Sequence, residues 1–95
     1  MNFQTKYLKK LTKTASVLKV IAHPVRLQIL EALGDKGSLT VSNIKDAIQT
    51  DVEQSMLSHH LIKMKDNGVL SSVKKGKFNH YSLVDKSLVS LLPTK

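Results

Sequence analysis

The sequence predicts a mainly α chain with a small β-hairpin, its elements running α-α-α-α-β-β-α. Three observations carry that prediction. Apolar residues recur at helical spacing as far as residue 67, in runs closed by Pro or Gly. Two extended runs follow, separated by a Gly-containing tetrapeptide that reads as a hairpin turn. The 95 residues show no repeat and no low-complexity tract, which leaves room for a single domain, 1–95.

In the first helix Leu8, Leu11, Ala15, Leu18 and Ala22 recur at spacings of three and four. That is one apolar stripe with the lysines largely off it. A stripe so narrow is the kind that seams two helices together, which makes this helix a candidate for a subunit interface. His23-Pro24 interrupts it, because Pro disfavours helix at the preceding residue and suits the first position of a new one. A second helix is predicted over Pro24–Leu33, apolar on most sides and therefore buried, with Gly34 and Gly37 ending it. A third runs over Val41–Gln49, with Thr40 as N-cap and Val41, Ile44 and Ile48 on one face. A fourth covers Glu53–Asn67, with Leu57, Leu61 and Met64 inward and Asn67-Gly68 as the stop. Val69–Val73 and Phe78–Val84 are the strands, and Lys74-Lys75-Gly76-Lys77 is the turn between them. Asp85 caps a last short helix, Ser87–Leu92, which Pro93 closes. Helices three and four (40–67) followed at once by a hairpin (69–84) make a winged helix-turn-helix. Segments 1–21 and 85–92 remain as dimerisation helices, with Leu8, Leu11, Ala15 and Leu18 facing Leu88 and Leu91.

Charge points to the partner. Fifteen basic residues stand against seven acidic ones, a net charge of +8. Residues 1–20 hold five lysines and no acid, and residues 63–77 hold five lysines against Asp66. Between them, residues 31–53 carry five acids against two lysines. Two basic zones flanking an acidic middle fit oriented contact with a polyanion, although a lysine-rich surface also serves solubility alone. The absence of cysteine excludes a disulfide framework, a thiolate metal site and a cysteine nucleophile. No Trp and 4% aromatic residues argue against single-strand binding by base stacking. No apolar stretch spans a membrane and no signal-peptide pattern is visible, so a cytoplasmic location is expected.

The polar face of the fourth helix carries Gln54, Ser55, Ser58, His59 and, one turn on, Lys63. Short polar side chains near a helix N-terminus suit a major-groove reader: they reach base edges and phosphates without steric cost. A merely solvated helix face has the same composition, and the wing that follows decides between the two. Lys74, Lys75 and Lys77 on that wing are the phosphate-contact residues. His59 and His60 point about 100° apart on a helix, so they share no metal. His60 lies toward the apolar side and is expected to be a hydrogen-bonded packing histidine.

Residues from about Val20 to Leu83 resemble the arsenical-resistance-repressor (ArsR-type) family of winged-helix transcription regulators. Ile21-Ala22-His23-Pro24-Val25-Arg26-Leu27-Gln28-Ile29-Leu30 is similar to that family's "LAHPTRLxIL" segment. Gln54-Ser55-Met56-Leu57-Ser58-His59-His60-Leu61, running on to Asn67-Gly68-Val69-Leu70, is similar to its "QSTVSRHLxxLxxAGLV" recognition helix. Lys74-Lys75-Gly76-Lys77 and Tyr81-Ser82-Leu83 match its "REGRxxxYxL" wing. The resemblance implies a homodimer built on the first and last helices, binding operator DNA and repressing transcription.

Departures from the pattern concern metals. Relatives of the metal-sensing kind carry cysteines in a segment of the type "LCVCDL", where this chain has Leu39-Thr40-Val41-Ser42-Asn43-Ile44. Hydroxyls are poor ligands for soft or borderline ions. A second family site uses a carboxylate and histidines on the last helix; Asp85 fits its first position, but Ser87 stands where His is expected. No metal and no cofactor is therefore expected. No carboxylate pair at acid/base spacing and no Gly-rich phosphate loop supports an enzyme. The reading is a sequence-specific double-stranded DNA-binding regulator, a homodimer on an inverted-repeat operator. The alternative is a winged-helix protein-interaction or dimerisation module, which has no need of a lysine wing beside a short polar face. Double-stranded RNA is disfavoured, because its major groove is too narrow for a helix.

Overall fold

The computed structural model describes residues 3–94, apart from the side chain of Phe3. Its elements are α1 (Phe3–Ile21), α2 (Pro24–Lys36), β1 (Leu39–Thr40), α3 (Val41–Ala47), α4 (Gln54–Asp66), β2 (Leu70–Lys75) and β3 (Phe78–Leu83), then a 3-10 helix, Lys86–Leu91. The class is the predicted one, mainly α with a hairpin wing, but two details differ. A two-residue strand precedes α3, and the last element is a 3-10 turn rather than an α-helix.

Each boundary has a local cause. His23 caps α2 through its ring, Nδ1 accepting from the Val25 N–H at 3.1 Å, with Pro24 in the first turn where no N–H is needed. Thr40 caps α3, its Oγ1 accepting from the Asn43 N–H at 3.2 Å. Gly37 ends α2 at φ +86°, and its N–H donates to the Leu33 carbonyl at 2.8 Å. Gly34, expected as part of that stop, lies inside the helix. A Cβ there would stand 2.7 Å from Val89 Cγ2, so its role is to let the 3-10 helix lie close against α2. The third helix stops at Ala47, two residues early, because Ile48 turns extended to bury its side chain.

The sheet is antiparallel with order β1-β3-β2. β3 pairs Leu39 with Tyr81 on one side and runs from Leu70↔Leu83 to Lys75↔Phe78 on the other. The turn is therefore Gly76-Lys77 alone, with Gly76 at φ +62° and no non-Gly residue at positive φ, the pattern of a tight two-residue hairpin. Lys74 and Lys75, expected in the turn, are the last strand residues and point to opposite faces of the sheet.

The core sits between α2, α4 and the sheet. Ile29, Leu30, Ile44, Leu57, Leu61 and Met64 are completely inaccessible to solvent, and Tyr81, Leu83 and Leu70 close the sheet side. α1 behaves differently. Only Val17, Val20 and Ile21, near its C-terminal end, pack on this core. Every residue from Gln4 to Ser16 is exposed. The radius of gyration, 14.4 Å, accordingly exceeds the about 13 Å of a compact 100-residue domain.

The connection between α3 and α4 is held from α2. Gln28 Oε1 accepts from the Gln49 N–H at 2.7 Å and the Thr50 N–H at 3.2 Å, while its Nε2 donates to Thr50 Oγ1. Lys45 Nζ adds a bond to the Val52 carbonyl at 2.8 Å. Gln28→Ala should speed hydrogen exchange at the Gln49 and Thr50 amides selectively and lower global stability by about 1 kcal/mol. Equal protection of those two amides in the variant would show that the turn holds itself.

Candidate nucleic-acid interface

The burial of Leu57, Leu61 and Met64 sets how α4 is rolled about its axis. Residues 55, 59 and 62 then fall on the opposite face at spacings of four and three. Ser55 and His59 are exposed there, and Gln54 is exposed at the first turn. Ser58, expected on the same face, is half-buried at its edge. Reading only the polar residues missed Ile62, which is 52% exposed on the outward face with Ser55 and His59. The helical spacing alone would have placed it there. An outward branched apolar side chain suits contact with a thymine methyl group. Glu53, the N-cap residue of α4, makes no side-chain cap bond, so its carboxylate does not occupy the first-turn amides.

The wing tip and the start of α4 border one cleft of about 230 Å³, lined by Gln54 from the helix, Lys77 and Phe78 from the wing, and Thr40 and Ser42 from the start of α3. Phe78 is 63% exposed there, another apolar side chain on this surface that the composition did not single out. Lys75 pairs across the strands with Phe78, and Lys74 with Asn79, so the two lysines lie on opposite faces of the wing. Lys63 does not join this group. It lies on the far flank of α4 in a second cleft with Lys19 and Arg26.

Behind the outward face stands a small polar network. His60 is 6% exposed, and its Nδ1 accepts from Arg26 Nε at 3.0 Å. Arg26 NH1 also donates to the Val20 carbonyl at 2.8 Å, near the end of α1. The His23 ring lies against His60 at a tilt of 58°, centroids 4.7 Å apart, and the His59 ring is 6.4 Å away. Burial, followed by the proximity of His23, Arg26 and His59, lowers the His60 pKa below its ordinary 6.5. His60 is thus the neutral acceptor that its bond to Arg26 requires.

Two of the metal-site positions, Thr40 and Asp85, are engaged in local hydrogen bonds. Thr40 Oγ1 holds the α3 cap and donates to Asn43 Oδ1 at 2.8 Å. Asp85 Oδ1 accepts from the Ser87 N–H at 2.9 Å and the Ser87 hydroxyl at 2.6 Å, which lowers its pKa. Among the described residues no group of three or more His, Asp or Glu is placed to hold a metal ion. No helix among them is long and apolar enough to cross a membrane.

α4 packed with α2 and α3, its polar face outward and the β2–β3 hairpin beside it, defines a winged helix-turn-helix. Comparison with known proteins agrees: a helix-turn-helix domain model matches residues 21–73. The chain is 33% identical to an HTH-type transcriptional regulator of Methanocaldococcus jannaschii, MJ1325, over 90% of this chain and 93% of that one. Among solved structures, the transcriptional repressor PagR of Bacillus anthracis superposes with TM-score 0.79 at 31% identity, covering 90% of this chain and 99% of its own. The homodimeric winged helix-turn-helix DNA-binding domain of Mb0332 from Mycobacterium bovis, described as a possible ArsR-family regulator, superposes with TM-score 0.74 at 26% identity over 96% and 80%. The chain belongs to the ArsR-type family of winged helix-turn-helix transcription regulators.

The depressed His60 pKa makes a pH prediction. The unfolded histidine binds a proton at higher pH than the folded one, so stability is fully present above about pH 6.5 and falls as acid charges His60 against Arg26. The thermal midpoint should drop between neutral pH and about pH 5, and His60→Gln should flatten that drop. An unchanged pH dependence in the variant would assign it to other groups.

Proposed function

We propose that this regulator works as a homodimer that places two copies of α4 in successive major grooves of double-stranded DNA, and that it acts by binding alone. The observation that carries this reading is the rolled α4: three side chains completely buried on one face, and Ser55, His59 and Ile62 open on the other. Gln54, Ser55, Ser58 and His59 are the base-reading residues, with Ile62 beside them. Lys74, Lys75 and Lys77 contact phosphates, whereas Lys63, expected among them, faces the separate cleft with Lys19 and Arg26 and is not assigned to this surface. The proposed helix-turn-helix spans 40–67 and the wing 69–84. A partner inside the cell, DNA, makes the site of action cytoplasmic.

Dimerisation is supported by α1. Its core-facing residues Val17, Val20 and Ile21 lie roughly 140° round the helix from the stripe of Leu8, Leu11, Ala15 and Leu18. Leu8 is 60% and Leu11 45% exposed, so nothing within the described residues covers the stripe. An isolated helical stretch of this length is marginal in water, and a second copy supplies the missing contact. On the side of α1 away from the stripe lies a separate cavity of about 360 Å³, lined by Val17, Val69, Val84 and Leu88 with Lys13 and Asp85 at its edge; Leu91, in the 3-10 helix, is exposed. Leu88 itself packs partly on its own core. Leu11→Lys should shift the chain toward monomer in light scattering at micromolar concentration and weaken DNA binding with it. A wild-type chain that stays monomeric at high concentration would remove the seam from this reading.

With two reading helices related by a two-fold axis, the preferred site is an inverted repeat with half-sites about 34 Å apart. Titrations of operator and scrambled duplex at several salt concentrations separate the two kinds of contact. Lys75→Ala should weaken both duplexes alike and flatten the log–log salt slope by about 0.9 for each phosphate no longer neutralised. Ser55→Ala should keep the slope and cost about 1–3 kcal/mol on the operator only. Identical behaviour of the two variants on both duplexes would show that α4 is not the reading element. No metal inducer is assigned, and zinc or arsenite added to the same titration should leave the affinity unchanged.

A further inference from the structure

We propose that the cleft between α1, α2 and α4, lined by Lys19, Arg26 and Lys63, is a phosphate-binding site distinct from the reading face and the wing. The cleft has a volume of about 380 Å³, and its walls are Ser16, Lys19 and Val20 of α1, Arg26 of α2, Lys63 of α4 and Asn67 just beyond it. Three of these six residues are cations and none is acidic. Like charges gathered without a counter-charge repel one another, and a bound anion removes that cost.

Arg26 makes the cleft more than a patch of surface lysines. It is half-buried, and its two hydrogen bonds both go to neutral acceptors, His60 Nδ1 and the Val20 carbonyl. Those bonds fix the guanidinium plane and use two of its five N–H groups. The remainder form the planar fork that matches phosphate oxygens. Lys19 and Lys63 add flexible point charges from either wall, and the Ser16 hydroxyl supplies a further donor. Asn67 contributes less, since its Nδ2 already donates to the Lys63 carbonyl at 2.8 Å.

The phosphate comes either from the backbone of bound DNA beyond the base-reading residues or from a free phosphorylated molecule. The first source rests on the DNA-binding reading above; the second does not. Either one ties the α1 end of the molecule to the reading helix, because the lining draws on both.

The experiment uses the full chain and Lys19→Ala, which removes an exposed side chain and leaves the core intact. Inorganic phosphate is titrated at constant ionic strength with chloride as the balancing anion, following the backbone amide resonances of Ser16, Val20 and Asn67. The duplex salt-slope measurement is then repeated on wild type, Lys19→Ala and, as a control, Lys75→Ala. Saturable shifts at the cleft that vanish in Lys19→Ala, with an unchanged salt slope, identify a free phosphate compound as the ligand. No saturable shift, but a slope flattened by about 0.9 per subunit contact in Lys19→Ala on both duplexes, identifies a DNA phosphate. The absence of both effects overturns the proposal. If Lys75→Ala flattens the slope while Lys19→Ala does nothing in either assay, the cleft proposal fails and the DNA reading stands. If no duplex binds at all, the DNA reading fails and the phosphate titration alone decides the cleft.

Discussion

Everything outward in this molecule depends on how α4 is locked inward. Leu57, Leu61 and Met64 have no solvent exposure, and each would lose roughly 1.5–3 kcal/mol of burial on being turned out. With three such anchors on one side, the helix has a single roll angle, and the opposite face inherits its direction without any contact of its own. Leu70, Tyr81 and Leu83 tie the wing to the same core, so Lys75 and Lys77 keep a constant offset from Ser55 and His59. A DNA reader needs that rigidity, because base contacts specify only when phosphate contacts hold the register. The Gln28 clasp on the α3–α4 turn completes the frame from the side of α2.

The parts of this design governed by short-range patterns were legible in the chain. Helical spacing located α1, α2 and α4, and Thr40 was identified as the α3 cap by the hydroxyl it offers a first-turn amide. The parts set by packing between distant segments were not. β1 is two residues long and exists because β3 presents a free edge at His80 and Tyr81. No local pattern carries that. Gly34 has the look of a helix stop, yet it is kept for the closeness of Val89, over fifty residues away in the chain. The last element tightened into a 3-10 turn, where Asp85 takes both Ser87 groups within two residues. In the candidate site, attention to polar side chains placed Ser55 and His59 outward but passed over Ile62, which the helical spacing itself puts outward, and Phe78, whose exposure depends on tertiary contacts that it does not make.

The His60–Arg26 pair illustrates the same division. That His60 would be inward and hydrogen-bonded followed from its angle to His59 on a helix. Its partner, thirty-four positions earlier, did not. Arg26 arrives because His23 and Pro24 start α2 at a fixed point, which brings the guanidinium under α4 and within reach of the Val20 carbonyl. One side chain thus joins three helices.

That junction matters for how a chain of this size can regulate anything. α1 is anchored to the body only over its last turns, and in the proposed dimer its exposed stripe meets a second copy. The anchored end is where Arg26 grips it, and the same guanidinium grips α4 through His60. In that dimer the position of the partner subunit, set by α1, is mechanically continuous with the direction of α4. Two reading helices match two half-sites only if that continuity is stiff, since a shift at one end displaces the other across the two-fold axis. Conversely, in that dimer anything that loosens Arg26, by charging His60 or by drawing its free N–H groups to an anion, would act on subunit spacing and base reading together. The half-buried Arg26 between three helices is the contact through which the proposed seam and the proposed reading face would be coupled.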